Sequence, residues 1–505
     1  MIMRFIKKIV FLLVLISVVQ HLRAQDYTTS ELPTLKDVIK SGLANNYNIK
    51  INKKLVEISV GNMISSGGVF NSSLTSGISA QPGILPSGSS KDNYTFNVGF
   101  EKPTKIGIDF SSGLAYMLEK TIGNSSKQIA VNGAWLQMDI PLLKGLGKNN
   151  LNYVNYKISK LNVQAKQVNF EYNITNFIKN IIIAYSNVYI NKKQYNSYNV
   201  IYNNIEQLYS DTKLLVNAKL IPQTDLLNVE AEKHRVKIEL QTAKNSLAIS
   251  YINMLKLMGD NTNVVFLSDS LFIPFEIPEL QPLALKSFVQ QTLLESDSIA
   301  KNALNYQEQV LKQMSAETAV MAAKNDKLNE LDLKLKYNYY TEGQGVDFDD
   351  SFIIGNSYFP GSSYVISLNY QIPFKNEQAK GNFIVKNEEY KMQNELSEKL
   401  LFDIRKAIEN AAIMLQNNYD NYLLQKENTK LQKKIYTDQI LKFQAKNSTI
   451  LDVTKTHTDY TTSLEDMYQL ELEIVNSLFT LKFLRNQMPK NSSELETFDV
   501  FKLDY

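Results

Sequence analysis

Two stretches of this chain run without proline or glycine for far longer than an ordinary helix. They extend from 149 to 217 and from 382 to 447. Because the mean helix of a globular protein has about 11–12 residues and rises about 1.5 Å per residue, each stretch predicts a helix on the order of 100 Å long. Such a length is typical of a coiled coil and exceeds what one compact domain can bury.

A second helix is predicted after each long stretch, and its apolar residues recur every three or four positions, with one step of seven. The two rows are Leu240, Ala243, Leu247, Tyr251, Met254 and Met258, and Met467, Ile474, Leu478 and Leu481. This spacing places the side chains on one helical face. We therefore expect two long antiparallel helical hairpins, with the methionines and aromatic residues packed in their seams.

The segments before the long stretches alternate apolar and polar residues with a period of two. The rows are Tyr94–Phe100, Ile106–Tyr116, Ala134–Ile140, Leu331–Tyr339 and Tyr364–Ile372. Period two predicts strands with one apolar face, and rows of about 7–11 residues suit tilted strands that cross a bilayer. The alternative is an amphipathic sheet on a soluble core, but such long helices would not cover one. We therefore predict an α+β membrane protein with transmembrane strands.

Predicted elements and several short motifs occur twice in the same order. Residues 139–142 (Asp-Ile-Pro-Leu) correspond to 371–374 (Gln-Ile-Pro-Phe), and the pair Ala218-Lys219 corresponds to Ala445-Lys446. Their offsets indicate a tandem duplication of roughly 230 residues, each copy holding a helix, strands and a long helical hairpin. The predicted segments are a signal peptide (1–24), a first repeat (25–259), a linker (260–283), a second repeat (284–487) and a C-terminal tail (488–505).

The N-terminal segment has the order of a secretory signal peptide. Arg4, Lys7 and Lys8 precede an apolar stretch from Ile9 to Val19, and Ala24 offers a small residue at the cleavage position. An uncleaved anchor is the alternative, but a membrane-spanning helix needs about 20 apolar residues. Cleavage removes four positive charges from a net charge of +3 and leaves −1. Without a basic face, no nucleic-acid partner is expected.

Composition excludes several kinds of chemistry. The chain has no cysteine, which rules out disulfides, thiolate metal sites and cysteine nucleophiles. Of its three histidines, His21 lies in the predicted signal peptide, and His234 and His457 are isolated on predicted helices, where we expect them at the surface. Asp347, with the acids that follow it, is expected to solvate a loop rather than hold calcium. We therefore expect no catalytic residues, no metal site, no cofactor and no enzymatic activity.

A tight turn is predicted between the two helices of each hairpin. In the first turn Pro222 cannot continue the incoming helix but suits the first turn of the outgoing one. In the second turn Asn447 or Ser448 is the expected N-cap of the outgoing helix.

In this order and in duplicate, the motifs resemble the TolC-type outer-membrane efflux protein family over essentially the whole mature chain. Residues 34–38 through 45–49 resemble the family's first helix, and 140–147 and 372–374 resemble its strand-to-helix exits. Residues 224–227 (Thr-Asp-Leu-Leu) and 450–453 (Ile-Leu-Asp-Val) resemble its helix turns.

The resemblance implies a homotrimer in which four strands per subunit form one 12-stranded β-barrel in the outer membrane, in contact with lipid, and long helices form a periplasmic tunnel. It implies the passive exit duct of a tripartite efflux or type I secretion system, opened by a periplasmic adaptor protein and an inner-membrane transporter. The alternative is a periplasmic coiled-coil adaptor or scaffold without transmembrane strands.

The resemblance also assigns residues at the two turns. The implied pore aperture comprises Thr224, Asp225 and Asp452, and the implied adaptor-contact turns comprise Ala218, Lys219, Leu220, Ala445, Lys446 and Asn447. The alternative for both aspartates is an ordinary helix start, where a negative charge is favourable. Two departures are Lys219 and Lys446, where the family usually has the glycine that a left-handed turn favours. A third is Lys455, which stands where some members have a second acid.

Overall fold

The computed structural model describes residues 32–84, 90–122, 127–260, 272–277, 280–344 and 359–503. The predicted signal peptide and the acidic loop that begins near Asp347 lie outside these ranges. The helices are α1 (Leu35–Asn45), α2 (Tyr47–Gly68), α3 (Leu151–Asn217), α4 (Gln223–Met258), α5 (Pro282–Leu294), α6 (Ser296–Asn302), α7 (Leu304–Asp326), α8 (Glu377–Gln444), α9 (Ile450–Leu484) and α10 (Ser492–Thr497). The strands are β1 (Ser73–Ile84), β2 (Ser90–Pro103), β3 (Asp109–Ile122), β4 (Lys127–Pro141), β5 (Glu330–Gln344) and β6 (Phe359–Gln371).

The long helices predicted from the absence of breakers are confirmed. Helix α3 has 67 residues and α8 has 68, and they are followed by α4 with 36 and α9 with 35. Within the described ranges, no helix combines the length and the apolar composition needed to cross a lipid bilayer.

The chain forms two compact units. One is helical and comprises the described parts of 1–51, 173–300 and 404–505; the other holds the sheet and comprises the described parts of 52–172 and 301–403. The duplication boundaries stay a prediction.

The core of the helical unit lies along α3. Ile178, Ile181, Ile182 and Tyr185 are fully buried, and the Tyr185 hydroxyl donates to the Pro33 carbonyl at 2.9 Å. Seven of the ten predicted seam residues are confirmed as core, because Ala243, Leu247, Met254, Met258, Ile474, Leu478 and Leu481 are buried; Leu240, Tyr251 and Met467 are half-buried. Regular apolar spacing on long helices thus places these side chains in the packed interior of the unit.

The sheet has the order β1 to β6, and every neighbouring pair is antiparallel. The described residues therefore contribute six strands, and the expectation of four is wrong. The additional strand that the alternation did not predict is β1, whose sequence is rich in serine and glycine and has few large apolar residues. The row predicted from Ile106 also begins too early, because a turn precedes the first residue of β3, Asp109.

The register places most of the large apolar side chains on one face of the sheet. Ile78 lies opposite Phe96, Phe96 opposite Tyr116, Leu136 opposite Tyr337, and Tyr337 opposite Tyr364. We call this the apolar face; it comprises Leu74, Ile78, Tyr94, Phe96, Val98, Phe100, Phe110, Leu114, Tyr116, Leu118, Leu136, Met138, Ile140, Leu331, Leu333, Leu335, Tyr337, Tyr339, Tyr364, Ile366, Leu368 and Tyr370.

The opposite face, which we call the polar face, carries mostly small, amide and charged side chains. Asn97 lies opposite Ala115, and Gln137 lies opposite Lys336. Lys334 pairs with Asp139 at 3.5 Å. Side chains alternate between the two faces of a strand, and the register aligns this alternation across all six strands. One face of the sheet is therefore mainly apolar and the other mainly polar.

Candidate functional site

The first helical turn connects α3 to α4 through residues 218–222. The N–H of Lys219 donates to the Val216 carbonyl at 2.8 Å, and the N–H of Leu220 donates to the Leu215 carbonyl at 2.9 Å. These two bonds form a Schellman motif, which requires a left-handed residue after the helix end. Lys219 supplies it, with φ of 56°.

The second turn repeats this backbone arrangement. The N–H of Lys446 donates to the Phe443 carbonyl at 2.9 Å, the N–H of Asn447 donates to the Lys442 carbonyl at 2.8 Å, and φ of Lys446 is 64°. A non-glycine residue in this conformation costs about 1–2 kcal/mol. The turn geometry that glycine would provide is therefore kept, while a lysine charge is retained at the negative end of each long helix.

The other ends of the outgoing helices use the same motif with residues that adopt it more readily. Gly259 follows α4 with φ of 69°, and Asn486 follows α9 with φ of 56°. The lysine substitution is thus specific to the two turns among these four helix ends.

Asp452 lies in a capping box at the start of α9. Its Oδ2 accepts from the Thr449 hydroxyl at 2.7 Å, the Thr449 N–H at 3.1 Å and the Ser448 hydroxyl at 3.2 Å. The hydrogen bonds from Thr449 lower the pKa of this fully exposed carboxyl below its ordinary value. The N-cap is Thr449, so the expectation of Asn447 or Ser448 is wrong; the hydroxyl of Thr449 accepts from the Asp452 N–H.

Asp225 occupies the equivalent first turn of α4 but has a different environment. Helix α4 begins after Pro222, which has no hydroxyl or amide side chain to cap it. Within the described chain, the Asp225 carboxylate has no hydrogen-bond or ion-pair partner, and it is half-buried. Thr224 beside it is exposed. Pro222 therefore precedes the helix as its N-cap rather than lying inside its first turn.

The two turns lie at the same end of the helical unit. The Gln444 side-chain amide, at the end of α8, donates to Asp211 Oδ2 near the end of α3 at 3.0 Å. The predicted aperture and adaptor-contact residues are thus brought to one end of this unit. Among the described residues, no cluster of three or more metal-ligating side chains occurs.

A buried polar cluster joins α4 to α9 further along the two helices. Arg235 Nη2 contacts Glu232 Oε1 at 2.6 Å, and Arg235 Nη1 contacts Glu239 Oε1 at 3.0 Å. His457 is fully buried; its Nδ1 lies 2.9 Å from Glu232 Oε1 and also contacts Arg235 Nη2. Its ring packs against Tyr436 with a centroid distance of 5.5 Å. We call these five residues the Arg235 cluster.

The charges of this cluster offset one another. Burial alone would raise the pKa of Glu232, but hydrogen bonds from His457 and Arg235 outweigh it and lower that pKa to about 2. Burial raises the pKa of Glu239, and the nearby charges of His457 and Arg235 partly offset this rise.

The prediction that His457 lies at the surface is wrong. The signal was present, because Val453, His457 and Tyr460 follow the spacing of one buried helical face.

No protein-family model matches the chain, and no curated protein matches it in sequence. Solved structures are similar in fold. CusC, a protein described as forming a transmembrane channel, has a TM-score of 0.63 and 13% identity, covering 90% of this chain and 92% of its own. The CmeC outer membrane channel of Campylobacter jejuni has a TM-score of 0.61 and 13% identity, covering 92% and 88%. The MtrE outer membrane channel of Neisseria gonorrhoeae has a TM-score of 0.60 and 13% identity, covering 90% and 89%.

The TolC-type fold is confirmed. At this level of identity the likeness concerns the fold alone, so the roles of individual residues rest on the geometry of this chain. In this chain, the two turns keep the left-handed backbone and place the predicted residues at one end of the helical unit.

Proposed function

We propose that this chain is the outer-membrane channel subunit of a tripartite efflux or type I secretion system, a passive exit duct. The observation that carries the proposal is the apolar face of the sheet. Many of its side chains are exposed, for example Ile78 at 84%, Leu136 at 60% and Ile366 at 75%, whereas Tyr116 is buried. Each large apolar side chain left in water costs about 1.5–3 kcal/mol relative to burial, so a lipid surface is the environment that this face fits.

The polar face then fits a water-filled lumen. Transmembrane barrels alternate apolar residues toward lipid with polar residues toward the interior along every strand. The proposed localisation is the outer membrane for the sheet and the periplasm for the helices. The proposed assembly is a homotrimer, with a periplasmic adaptor protein and an inner-membrane transporter as partners and with the transporter supplying the energy. This role includes no catalytic step in the channel itself.

The turns are proposed as the periplasmic aperture and adaptor contact. Three subunits would bring six carboxylates from Asp225 and Asp452 to one opening, which would favour cations. Lys219 and Lys446, with their neighbours in the turns, would present positive charge to the adaptor. The unpaired Asp225 carboxylate supports this assignment more strongly than the capped Asp452 does.

A periplasmic adaptor or scaffold would also contain long helical hairpins, but it has no use for an exposed apolar sheet face. Separated outer membranes, extracted in mild detergent and measured by native mass, distinguish the two functions. We expect a trimer in this fraction. A monomer released with soluble periplasmic proteins would contradict the channel.

A matched pair of variants tests the orientation of the sheet. Leu114 and Ala115 are neighbours on β3 that point to the apolar and polar faces respectively. A lysine on a lipid-facing position at mid-membrane costs about 2–4 kcal/mol. Leu114→Lys should therefore strongly reduce the amount of folded trimer in the outer membrane, while Ala115→Lys should leave it near the wild-type level. Equal effects would contradict the assigned faces.

A further inference from the structure

The two outer strands of the sheet differ from all the strands between them. Within the described ranges, β1 and β6 contain no charged residue, whereas each of the strands β2 to β5 contains at least two. Soluble proteins usually place charges, especially lysine, on exposed edge strands to prevent pairing with another chain. Here the pattern is inverted, and the strands are long, with 12 residues in β1 and 13 in β6.

These edges need partners in a membrane. Within the described part of the chain, the outer edge of β1 and the outer edge of β6 pair with no strand. In a bilayer each unsatisfied backbone group costs several kcal/mol, so spanning sheets are closed. Closure of this sheet on itself is excluded, because even about eight strands leave an interior only just large enough for side chains. Trp135 and Tyr340 on the polar face would have no room.

We infer that β1 of one copy pairs with β6 of the next copy, so that the ring contains every strand of every subunit. An even number of antiparallel strands per chain lets this junction be antiparallel like the others. The inference rests on the proposed function for the number of copies: three copies of the six described strands make eighteen. The ring is then half as large again as the 12-stranded one that the resemblance implies.

The stagger of the sheet specifies how the edges meet. Ser73, the first residue of β1, is linked through successive ladder pairs to Val365, which lies six residues before the end of β6 at Gln371. The strand ends thus drift by six residues across one chain. When the start of β1 in one copy is aligned with the end of β6 in the next copy, Ser73 lies opposite Gln371. Ile78 then lies opposite Ile366.

This register is consistent in chemistry and in geometry. It sets Leu74 opposite Tyr370 and Ala80 opposite Tyr364, so the apolar face continues from one copy to the next. A drift of six residues over six strands, at about 3.3 Å per residue and about 4.8 Å between strands, corresponds to a strand tilt of about 35°. Closed barrels typically have tilts of about 35–45°. Eighteen such strands give a backbone diameter on the order of 30 Å.

Cysteine cross-linking tests the junction cleanly because the chain has no native cysteine. Ile78→Cys with Ile366→Cys, and Ser79→Cys with Val365→Cys, probe two neighbouring ladder positions, one of which is the closer, non-hydrogen-bonded type. Outer membranes containing each double variant are treated with a mild oxidant and analysed on denaturing gels. We expect covalent dimers and trimers in at least one pair, reversed by reductant. Ile78→Cys with Tyr370→Cys is the matched control, displaced by about 13 Å and beyond disulfide reach.

A second double variant represents the competing closure. If the β1–β2 hairpin lay outside the ring, β3 would be the edge, and the same alignment would set Leu114 opposite Ile366. Cross-linking of Leu114→Cys with Ile366→Cys, or a native trimer that cross-links at neither junction, would overturn the eighteen-stranded ring and leave the proposed channel intact. Absence of any trimer from the outer membrane, measured by native mass before oxidation, would overturn the channel and the ring together.

Discussion

The two helical turns have the same backbone and different chemistry at the start of the following helix. Both end a long helix with a left-handed lysine and the same pair of Schellman hydrogen bonds. Asp452 then closes a capping box with Thr449, whereas Asp225 follows Pro222 and its carboxylate is unpaired within the described chain. The helix-start explanation therefore accounts for Asp452, while the unpaired carboxylate of Asp225 is the better candidate for the proposed aperture.

The largest expected effect on stability comes from the Arg235 cluster, which joins α4 and α9, the helices that follow the two turns. Removing one partner of a buried ion pair costs about 3–5 kcal/mol, because the remaining charge is left buried. Arg235→Ala removes the guanidinium partner of Glu232, whose side chain is 3% exposed, and leaves this buried carboxylate with His457 alone. We expect a loss of this order in the free energy of unfolding, measured by denaturant titration of the detergent-extracted protein.

Arg405→Ala is the matched control for the previous change. Arg405 has the same 35% side-chain exposure as Arg235, but its partner Asp297 is 64% exposed. Exposed ion pairs contribute about 0–1 kcal/mol, so this variant should change stability little. Equal losses in both variants would show that the Arg235 cluster does not couple α4 to α9.

The capping difference predicts unequal effects of the same substitution at the two turns. Thr449→Ala removes the N-cap hydroxyl of α9 and should destabilise the protein by about 0.5–2 kcal/mol. Thr224→Ala, in the first turn of α4, should be nearly neutral. Thermal unfolding of both variants under identical conditions measures the difference, and equal shifts would contradict the assigned caps.

The effect of Thr449→Ala should also depend on pH. The pKa of Asp452 is lowered in the folded state, so the carboxylate contributes stability above its ordinary pKa of 3.8 and loses it as pH falls through the folded value. The variant lacks the Thr449 hydroxyl, whose hydrogen bond is the largest cause of the lowered pKa, and keeps the donor N–H of residue 449. Its stability difference from the wild type should be largest near neutral pH and decrease in strong acid; a difference that grows in acid would contradict this assignment.

The left-handed lysine that the two turns share predicts a smaller effect, a gain in stability when it is replaced by glycine. Lys219→Gly and Lys446→Gly relieve the left-handed strain and should each stabilise the protein by about 0.5–1 kcal/mol, less than the strain because glycine gains entropy in the unfolded chain. Lys213→Gly, inside α3, should instead destabilise by about 1 kcal/mol. If adaptor contact needs the lysine charge, the stabilised variants should bind the adaptor more weakly in pull-down assays.

The smallest expected effect sharpens the difference between the two aspartates. Asp225→Asn should reduce the cation selectivity of reconstituted channels more than Asp452→Asn, because Asp452 already has three hydrogen-bond donors. Reversal potentials across planar bilayers measure this difference, and the double variant should show the largest change. Unchanged reversal potential and resting conductance in the double variant would contradict the aperture.

Local signals predicted the parts of the fold whose residues repeat regularly. The absence of breakers predicted α3 and α8, and period-two alternation predicted β2 to β6, because helix and strand periodicity are written directly in the order of apolar residues. The strand β1 has a weak alternation of serine, glycine and a few isoleucines, so only its pairing with Phe96 and the other apolar residues of β2 gives it a face. The number of strands was therefore missed along with it.

At the candidate site, too, some features were predictable from the sequence and others depended on the tertiary structure. Sequence alone determined two long hairpins, a sheet with one apolar face, and two turns that bear Asp225 and Asp452, since each depends on neighbours in the chain. Tertiary structure decided that Lys219 and Lys446 take left-handed angles, that Thr449 rather than Asn447 caps α9, and that His457 is buried against Glu232. Those outcomes depend on hydrogen bonds and packing partners, some more than 200 residues away along the chain, which no local pattern contains.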